Sequence, residues 1–242
     1  MMKKTALVFV GLLLFLGACA PDNQRLSQVQ TPPTNVILLI GDGMGLTQVS
    51  TAYHFSEGPS NFSRFPVIGL HNPQPSSHKI TDSAAGATAF STGYKSFNSA
   101  IGVDADSIAR QTLLEIAARR GMRTGVISTS TITHATPASF YAHVENRNYH
   151  EEIARQFAAA PIDFAAGGGF KYLALRKDGL NLLDTLAAHG TVWDTTTLDR
   201  RLVDERRYAF LLGADSLHSM RGGRGDFLRQ ATETALSHRA SE

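Results

Sequence analysis

Short apolar runs alternate with amphipathic stretches along most of the chain. Five runs rich in apolar and β-branched residues predict strands over Asn35–Ile40, Val67–Leu70, Thr124–Ser128, Asp163–Ala166 and Tyr208–Leu212. The first run is continuously apolar, as is typical of a parallel strand that is covered on both faces. Apolar positions between the runs predict helices over Thr47–Phe55, Ser83–Thr92, Gln111–Arg120, His150–Ala159, Leu180–His189 and Asp226–His238.

The order of these elements predicts the fold class. Gly93, Gly121 and Gly190 directly follow predicted helices, in the position where a left-handed glycine commonly ends a helix. Strands and helices alternate, which is typical of an α/β protein. We therefore predict a doubly wound, largely parallel sheet with helices on both faces.

The N-terminus has the pattern of an export signal. Two lysines lie within Met1–Lys4, and Thr5–Ala18 is almost continuously apolar up to Cys19. The run is too short to span a bilayer comfortably and has a charged start, so residues 1–18 are predicted to be a signal peptide. Residues 19–34 are predicted to form a polar tether, and the folded domain, 35–242, is expected to follow it.

Cys19 is the only cysteine in the chain. The segment Leu16–Cys19 resembles a bacterial lipobox, which implies that the thiol is lipidated and anchors an exported protein to the membrane. No aspartate directly follows Cys19, so the outer membrane or the periplasmic face is favoured over retention at the inner membrane. A single cysteine also excludes a disulfide within the chain.

Charge and composition exclude other classes. The chain has 23 Lys and Arg against 21 Asp and Glu, for a net charge of +2, and 43% of its residues are hydrophobic. That apolar fraction is enough for a core, which argues against a disordered chain. The charge is too small and too evenly spread to indicate nucleic-acid binding.

Asp42 is the first candidate for chemistry. It lies in Gly41–Gly45, directly after the first predicted strand, and ligands collect at the carboxyl ends of parallel strands. Leu46 replaces the third glycine of a dinucleotide fingerprint, and no Lys-Ser/Thr pair follows as in a P-loop. Two interpretations remain open, a metal-binding carboxylate and a cap of the next helix.

Ser83 is the second candidate. It opens a run of very small residues, so its hydroxyl is predicted to lie at a helix N-terminus, where anionic charge is stabilised. This is a suitable place for a nucleophile that attacks a phosphoryl group. The local pattern alone favours the alternative, in which Ser83 or Asp82 is an ordinary helix cap. The G-x-S-x-G elbow of α/β-hydrolases is absent.

Four segments in this order resemble the signature set of the alkaline phosphatases. They are Val36–Gly45, Thr81–Thr88, Thr133–Ala138 and His143–Arg147. A further match, Gly167–Tyr172, extends the resemblance, which covers about Asn35 to Gly169. Several matches in register are more specific than any single one.

The resemblance implies a metal-dependent site with two zinc ions and one magnesium ion. Asp42 is then a ligand shared by one zinc and the magnesium, Ser83 a zinc ligand and Thr136 a magnesium ligand. His134 is assigned to the metal site as well. Family members carry either aspartate or histidine at that position, so the metal preference there stays open.

The resemblance also implies phosphomonoester substrates and a phosphoserine intermediate. Ser83 is then the nucleophile, Arg147 holds the phosphate and Asp82 holds Arg147. A planar guanidinium suits this task because it can bind two phosphate oxygens at once. Family members are commonly dimeric, so a homodimer is compatible with the resemblance.

Most of the family's zinc ligands have no counterpart here. The family supplies them later in its chain, as a Glu, an Asp-x-x-x-His pair, an adjacent Asp-His and a final His. The nearest pattern here, Asp215–His218, is one residue short and reads as a polar loop. We therefore expect an N-terminal part of the fold, incomplete at its C-terminus, with negligible turnover by itself and a poorly soluble, unpaired sheet edge.

Two alternatives remain open. The first is another hydrolase of the same superfamily, such as a phosphodiesterase; a sulfatase is disfavoured because Ser83 lacks the required proline and arginine context. The second is a catalytically inactive surface lipoprotein that uses the fold to bind a ligand.

Overall fold

A computed structural model describes residues 35–198, 207–213 and 224–237. The predicted signal peptide, the tether with Cys19, and Asp215–His218 lie outside the described residues. The internal contacts divide the chain after Gly41 into two units, and the helices and strands of the described ranges belong to the second. Within these ranges, none of the helices has the length and apolarity that a membrane crossing requires.

The helices agree closely with the pattern of apolar positions. The six predicted helices are confirmed, with ends that differ by at most two residues, and short helical turns occur besides them. The described helices are α1 (Leu46–Phe55), a 3₁₀ helix (Asn61–Arg64), α2 (Ser83–Thr92), α3 (Leu113–Arg119), α4 (Ala135–Ala138), α5 (His150–Ala159), α6 (Lys171–Ala174), α7 (Leu182–Ala188) and α8 (Phe227–Ser237). Gly93, Gly121 and Gly190 have φ of 77°, 73° and 77°, which confirms the predicted left-handed helix ends.

The described strands form one parallel sheet. They are β1 (Gly125–Thr131), β2 (Phe164–Gly168), β3 (Thr191–Asp194) and β4 (Arg207–Leu211), in the order β1-β2-β4-β3. Each neighbouring pair is parallel, so the predicted α/β class with a parallel sheet is confirmed.

Helices cover both faces of the sheet. Successive residues of a strand point to opposite faces, and the two hydrophobic clusters separate accordingly. Ala165 and Ala209 pack in the cluster that includes α5 and α7, whereas Phe164 and Tyr208 pack in the cluster that includes Ala231 of α8. The prediction of a doubly wound sheet is therefore correct for the described strands.

Two strand predictions are wrong. Residues 35–40 and 67–70 have no strand structure, and their apolar side chains are exposed, Leu39 to 71% and Leu70 to 98%. A continuous apolar run favours burial, but it does not specify a neighbour with which the backbone can form a ladder. The sequence also missed β3, which has only four residues and carries little periodicity.

Candidate active site

One carboxylate joins two of the predicted site residues. The Ser83 Oγ donates a hydrogen bond to Asp42 Oδ1 at 2.9 Å, and the Thr136 Oγ1 donates one to Asp42 Oδ2 at 3.1 Å. Asp42 does not cap α1, because the N-cap residue of that helix is Gly45. Of the two interpretations of Asp42, the structure therefore disfavours the helix cap.

Close packing of α2 against α4 brings these hydroxyls together. Ser83 is the first residue of α2, and Thr136 lies in α4, which follows β1. Ala84, Ala135 and Ala138 are buried where the helices meet. Such small side chains permit a short distance between helices, so both hydroxyls reach the carboxylate of Asp42.

Asp82 caps α2 and also binds Arg147, the residue that is predicted to hold the phosphate. Its Oδ1 accepts a hydrogen bond from the Ala85 amide at 3.0 Å. Its Oδ2 accepts one from the Ser99 amide at 3.0 Å and one from Arg147 Nη1 at 3.2 Å. The two interpretations of this carboxylate, helix cap and partner of Arg147, therefore hold together.

His134 contacts the other side of the Arg147 guanidinium. Arg147 Nη2 lies 3.1 Å from His134 Nε2. A guanidinium can only donate hydrogen bonds, so Nε2 accepts and the neutral imidazole carries its proton on Nδ1. Burial, together with the nearby charge of Arg147, lowers the pKa of His134. Asp82 and His134 thus orient one guanidinium from two sides.

The backbone that carries Arg147 is paired with residues 99–102, an association that sequence reasoning missed. The Arg147 amide donates to Ser99 O at 2.8 Å, and Ile101 and Val144 exchange two backbone hydrogen bonds. Ser99 has a φ of 76°, a strained value for a residue with a side chain. No local signal marks Ser99, because neither its left-handed backbone nor its pairing with Arg147 follows from neighbouring residues.

The oxygen atoms brought together here suit a metal ion that prefers oxygen ligands. Asp42, Ser83 and Thr136 bring carboxylate and hydroxyl oxygens to one point, and hard cations such as Mg²⁺ prefer oxygen ligands. His134 is the nitrogen donor nearby, with Nε2 directed at Arg147. Within the described ranges, no three His, Cys, Asp or Glu side chains cluster closely enough to hold a metal ion.

Comparison with known proteins gives a consistent result. The family model described as "Alkaline phosphatase" matches residues 33–221. The alkaline phosphatase of Escherichia coli (strain K12) is 34% identical over 218 residues, which cover 78% of this chain and 44% of that protein. The repressible alkaline phosphatase of Saccharomyces cerevisiae is 35% identical over 212 residues, which cover 77% of this chain and 38% of that protein.

Solved structures agree in fold as well. The alkaline phosphatase from the Antarctic bacterium TAB5 is similar with a TM-score of 0.82 and 47% identity, over 85% of this chain and 61% of that one. A variant of that enzyme with Mg bound in its M3 site gives a TM-score of 0.84 and 45% identity, over 87% of this chain and 61% of that one. The chain spans less than half the length of the two curated relatives.

Proposed function

The chain belongs to the alkaline phosphatase family, and from this premise we propose that it acts in phosphomonoester hydrolysis through a phosphoserine at Ser83. The observation that carries the proposal is the carboxylate of Asp42, whose two oxygens accept hydrogen bonds from Ser83 and Thr136. This contact places a nucleophile of the predicted type beside the predicted metal ligands, at the N-terminus of α2.

Ser83 is the proposed nucleophile. Its Oγ forms a bond to phosphorus while the bond from phosphorus to the ester oxygen breaks, and the alcohol leaves after taking a proton from water. The hydrogen bond to Asp42 Oδ1 orients the Ser83 hydroxyl, and the hydroxyl proton passes to solvent as the bond to phosphorus forms. Water then attacks the phosphoserine, the bond from phosphorus to Oγ breaks, Oγ takes up a proton to restore the hydroxyl, and inorganic phosphate leaves.

Arg147 is the proposed phosphate ligand, and Asp82 its positioning residue. The contacts with Asp82 and His134 use two of the five N–H donors of a guanidinium. The same contacts fix its plane, so the other donors can meet two phosphate oxygens without further loss of side-chain freedom. The N-terminus of α2 adds favourable potential for the same anion.

The proposed metal ions are those that the sequence resemblance to the family implies. Two zinc ions and one magnesium ion are proposed, with Asp42, Ser83 and Thr136 as oxygen ligands from this chain. His134 is proposed as a further ligand and would have to release its Nε2 from Arg147 to bind a metal. Most of the family's zinc ligands have no counterpart in these 242 residues. When bound, such ions neutralise phosphate charge and lower the pKa of a coordinated hydroxyl. The oxygen donor set, and the Mg bound in a structural relative, support the magnesium assignment.

Location and assembly are proposed on the sequence alone. A lipid on Cys19 would anchor the exported protein to the outer membrane or the periplasmic face, and a homodimer is proposed by analogy with the family. Metabolic labelling with a fatty acid in a bacterial host checks the anchor. Label that is lost in Cys19→Ser supports it, and label retained in that variant contradicts it.

Paired ester substrates test the reaction. With Zn²⁺ and Mg²⁺ supplied, we expect the chain to release p-nitrophenol from p-nitrophenyl phosphate in stoichiometric amounts without sustained turnover, and to leave bis(p-nitrophenyl) phosphate intact. Ser83→Ala should abolish the release, whereas Ser237→Ala, at the end of α8, should not.

Three other results would each contradict one part of the proposal. Sustained turnover that Ser83→Ala abolishes would contradict the proposed shortage of zinc ligands while supporting the nucleophile. Preference for the diester would contradict the monoester assignment. Release that persists in Ser83→Ala would refute the proposed role of Ser83.

A further inference from the structure

His143 lies between two hydrogen-bond acceptors that belong to different segments. Its Nδ1 is 2.8 Å from Gly102 O, and its Nε2 is 3.0 Å from Glu115 Oε1. A carbonyl oxygen and an ionised carboxylate have no proton to donate, so both ring nitrogens must donate to satisfy them. Only the imidazolium form has two N–H groups, and the surroundings of His143 therefore select the charged ring.

Glu115 is held in the form that this contact needs. Its Oε2 accepts a hydrogen bond from the Thr112 amide at 2.8 Å, as part of the capping box of α3. Burial opposes ionisation of Glu115, but the hydrogen bonds from His143 and Thr112 outweigh it and lower its pKa. The hydrogen bond to Glu115 in turn raises the pKa of His143, against the opposing effect of burial.

The backbones of His143 and Arg147 flank one antiparallel bridge, which joins Ile101 and Val144. Residues 143–147 pair with residues 99–102 through Ile101 and Val144, and the Arg147 amide bonds Ser99 O. The His143 ring bonds Gly102 on one side of this bridge. On the other side, Asp82 accepts hydrogen bonds from both the Ser99 amide and the Arg147 guanidinium.

We propose that the imidazolium of His143 is a positioning residue for Arg147. By bonding Gly102 and Glu115 at once, it fixes the register of the two paired segments and so the position from which the guanidinium reaches a phosphate group. The inference deepens the proposed function and rests on it, because it concerns the anion-binding arginine. His143 itself does not touch the substrate in this scheme.

The charged neighbours give the proposal a definite pH dependence. Glu115 of α3 faces the ring directly. From α5, Gln156 bonds the His143 backbone and links it to Glu152, and from the remaining side the Arg110 amide shares Gly102 O. Because the pKa of His143 is raised in the folded protein, both bonds are present below the ordinary imidazole pKa, and one of them is lost as pH rises through the raised value.

Sulfate binding, measured by titration calorimetry, is a suitable readout, because sulfate stays a dianion over this range while phosphate does not. At about pH 6, below the ordinary imidazole pKa, we expect His143→Gln to bind sulfate about tenfold more weakly than the unmodified chain, the effect of losing one hydrogen bond to a charged group. This difference in sulfate affinity should vanish at pH values above the pKa of His143. The titration of His143 is followed by the signals of its ring protons. Glu115→Gln should move that midpoint to lower pH.

His189→Gln is the matched control, because the His189 ring bonds a single carbonyl, that of Ala158, at 2.9 Å. It should leave both the sulfate affinity and its pH profile unchanged. A His143→Gln protein that folds and binds sulfate with the unmodified pH profile would overturn the proposal. So would a Glu115→Gln protein whose profile does not shift.

Hydrogen exchange of backbone amides distinguishes a failure of this proposal from a failure of the proposed function. Below the His143 titration, the exchange protection of the Val144 and Arg147 amides should fall in His143→Gln and stay unchanged in His189→Gln. If Arg147→Ala leaves sulfate binding intact, the anion-binding role of Arg147 is wrong, and the amide data still decide whether His143 orders its segment. Equal protection in both variants would contradict the positioning role directly.

Discussion

Replacing Gly102 by alanine is expected to prevent stable folding. Gly102 has a φ of 62°, and a Cβ atom there would lie 2.1 Å from Ala142 O and 2.7 Å from His143 Nδ1. Ala142 is fully buried and its amide bonds Ala138 O, so the obstacle is fixed backbone that cannot rotate away. The left-handed backbone and the overpacking together should cost about 3–5 kcal/mol, a large fraction of the stability of a typical domain.

Gly93→Ala is the matched control for this change. Gly93 has a similar φ of 77°, but nothing lies within 4 Å of its hypothetical Cβ. Its substitution should cost about 1–2 kcal/mol, the left-handed backbone alone. Urea unfolding, monitored by circular dichroism, measures the free energy of unfolding of both variants. If the two variants lose similar stability, the close approach of residues 102 and 142 is not a property of the protein.

Loss of the Arg147 guanidinium is expected to weaken phosphate binding strongly. Charge-assisted hydrogen bonds contribute about 1.5–3 kcal/mol each, so Arg147→Ala should weaken binding of inorganic phosphate by about a hundredfold. Arg147→Lys should recover only part of this loss, because an ammonium keeps the charge but cannot bind Asp82, His134 and two phosphate oxygens as one planar group. Titration calorimetry with inorganic phosphate measures the effect.

Arg155→Lys is a control on the surface of the protein. Arg155 pairs with Glu152 within α5, and exposed pairs of this kind contribute little. We expect phosphate affinity to stay unchanged in this variant. Asp82→Asn, which keeps a cap for α2 but removes the charge beside Arg147, should give an intermediate loss. Full affinity in Arg147→Ala would contradict the assigned role of the guanidinium.

The sequence predicted the elements that carry their own local signals. Ser83–Thr92 was predicted with its observed limits, because small helix-forming residues lie between an aspartate cap and a glycine end. Strands over 124–128 and 163–166 were predicted because their apolar runs are short and bounded by turns. The same reasoning failed for residues 35–40 and 67–70, since apolar character does not identify a pairing partner.

In the candidate site, too, some features were predictable from local sequence and others were not. Asp42, Ser83 and Thr136 were singled out by their motifs, and the structure brings the hydroxyls of Ser83 and Thr136 within hydrogen-bond distance of the Asp42 carboxylate. The pairing of residues 99–102 with residues 143–147 was not predictable. It depends on a left-handed Ser99 and on contacts across more than 40 residues of sequence, such as His143 with Gly102 at a separation of 41. Long-range pairings of this kind have no local pattern.

Transfer of phosphate to Ser83 is the direct test of its role as the nucleophile. The chain is incubated with p-nitrophenyl phosphate, Zn²⁺ and Mg²⁺, quenched in acid to preserve phosphate esters, digested, and analysed by mass spectrometry. We expect phosphate on the peptide that contains Ser83, with none in Ser83→Ala and much less in Asp42→Asn. An unmodified Ser83 peptide after prolonged incubation, or phosphate on another serine in its place, would contradict the phosphoserine mechanism.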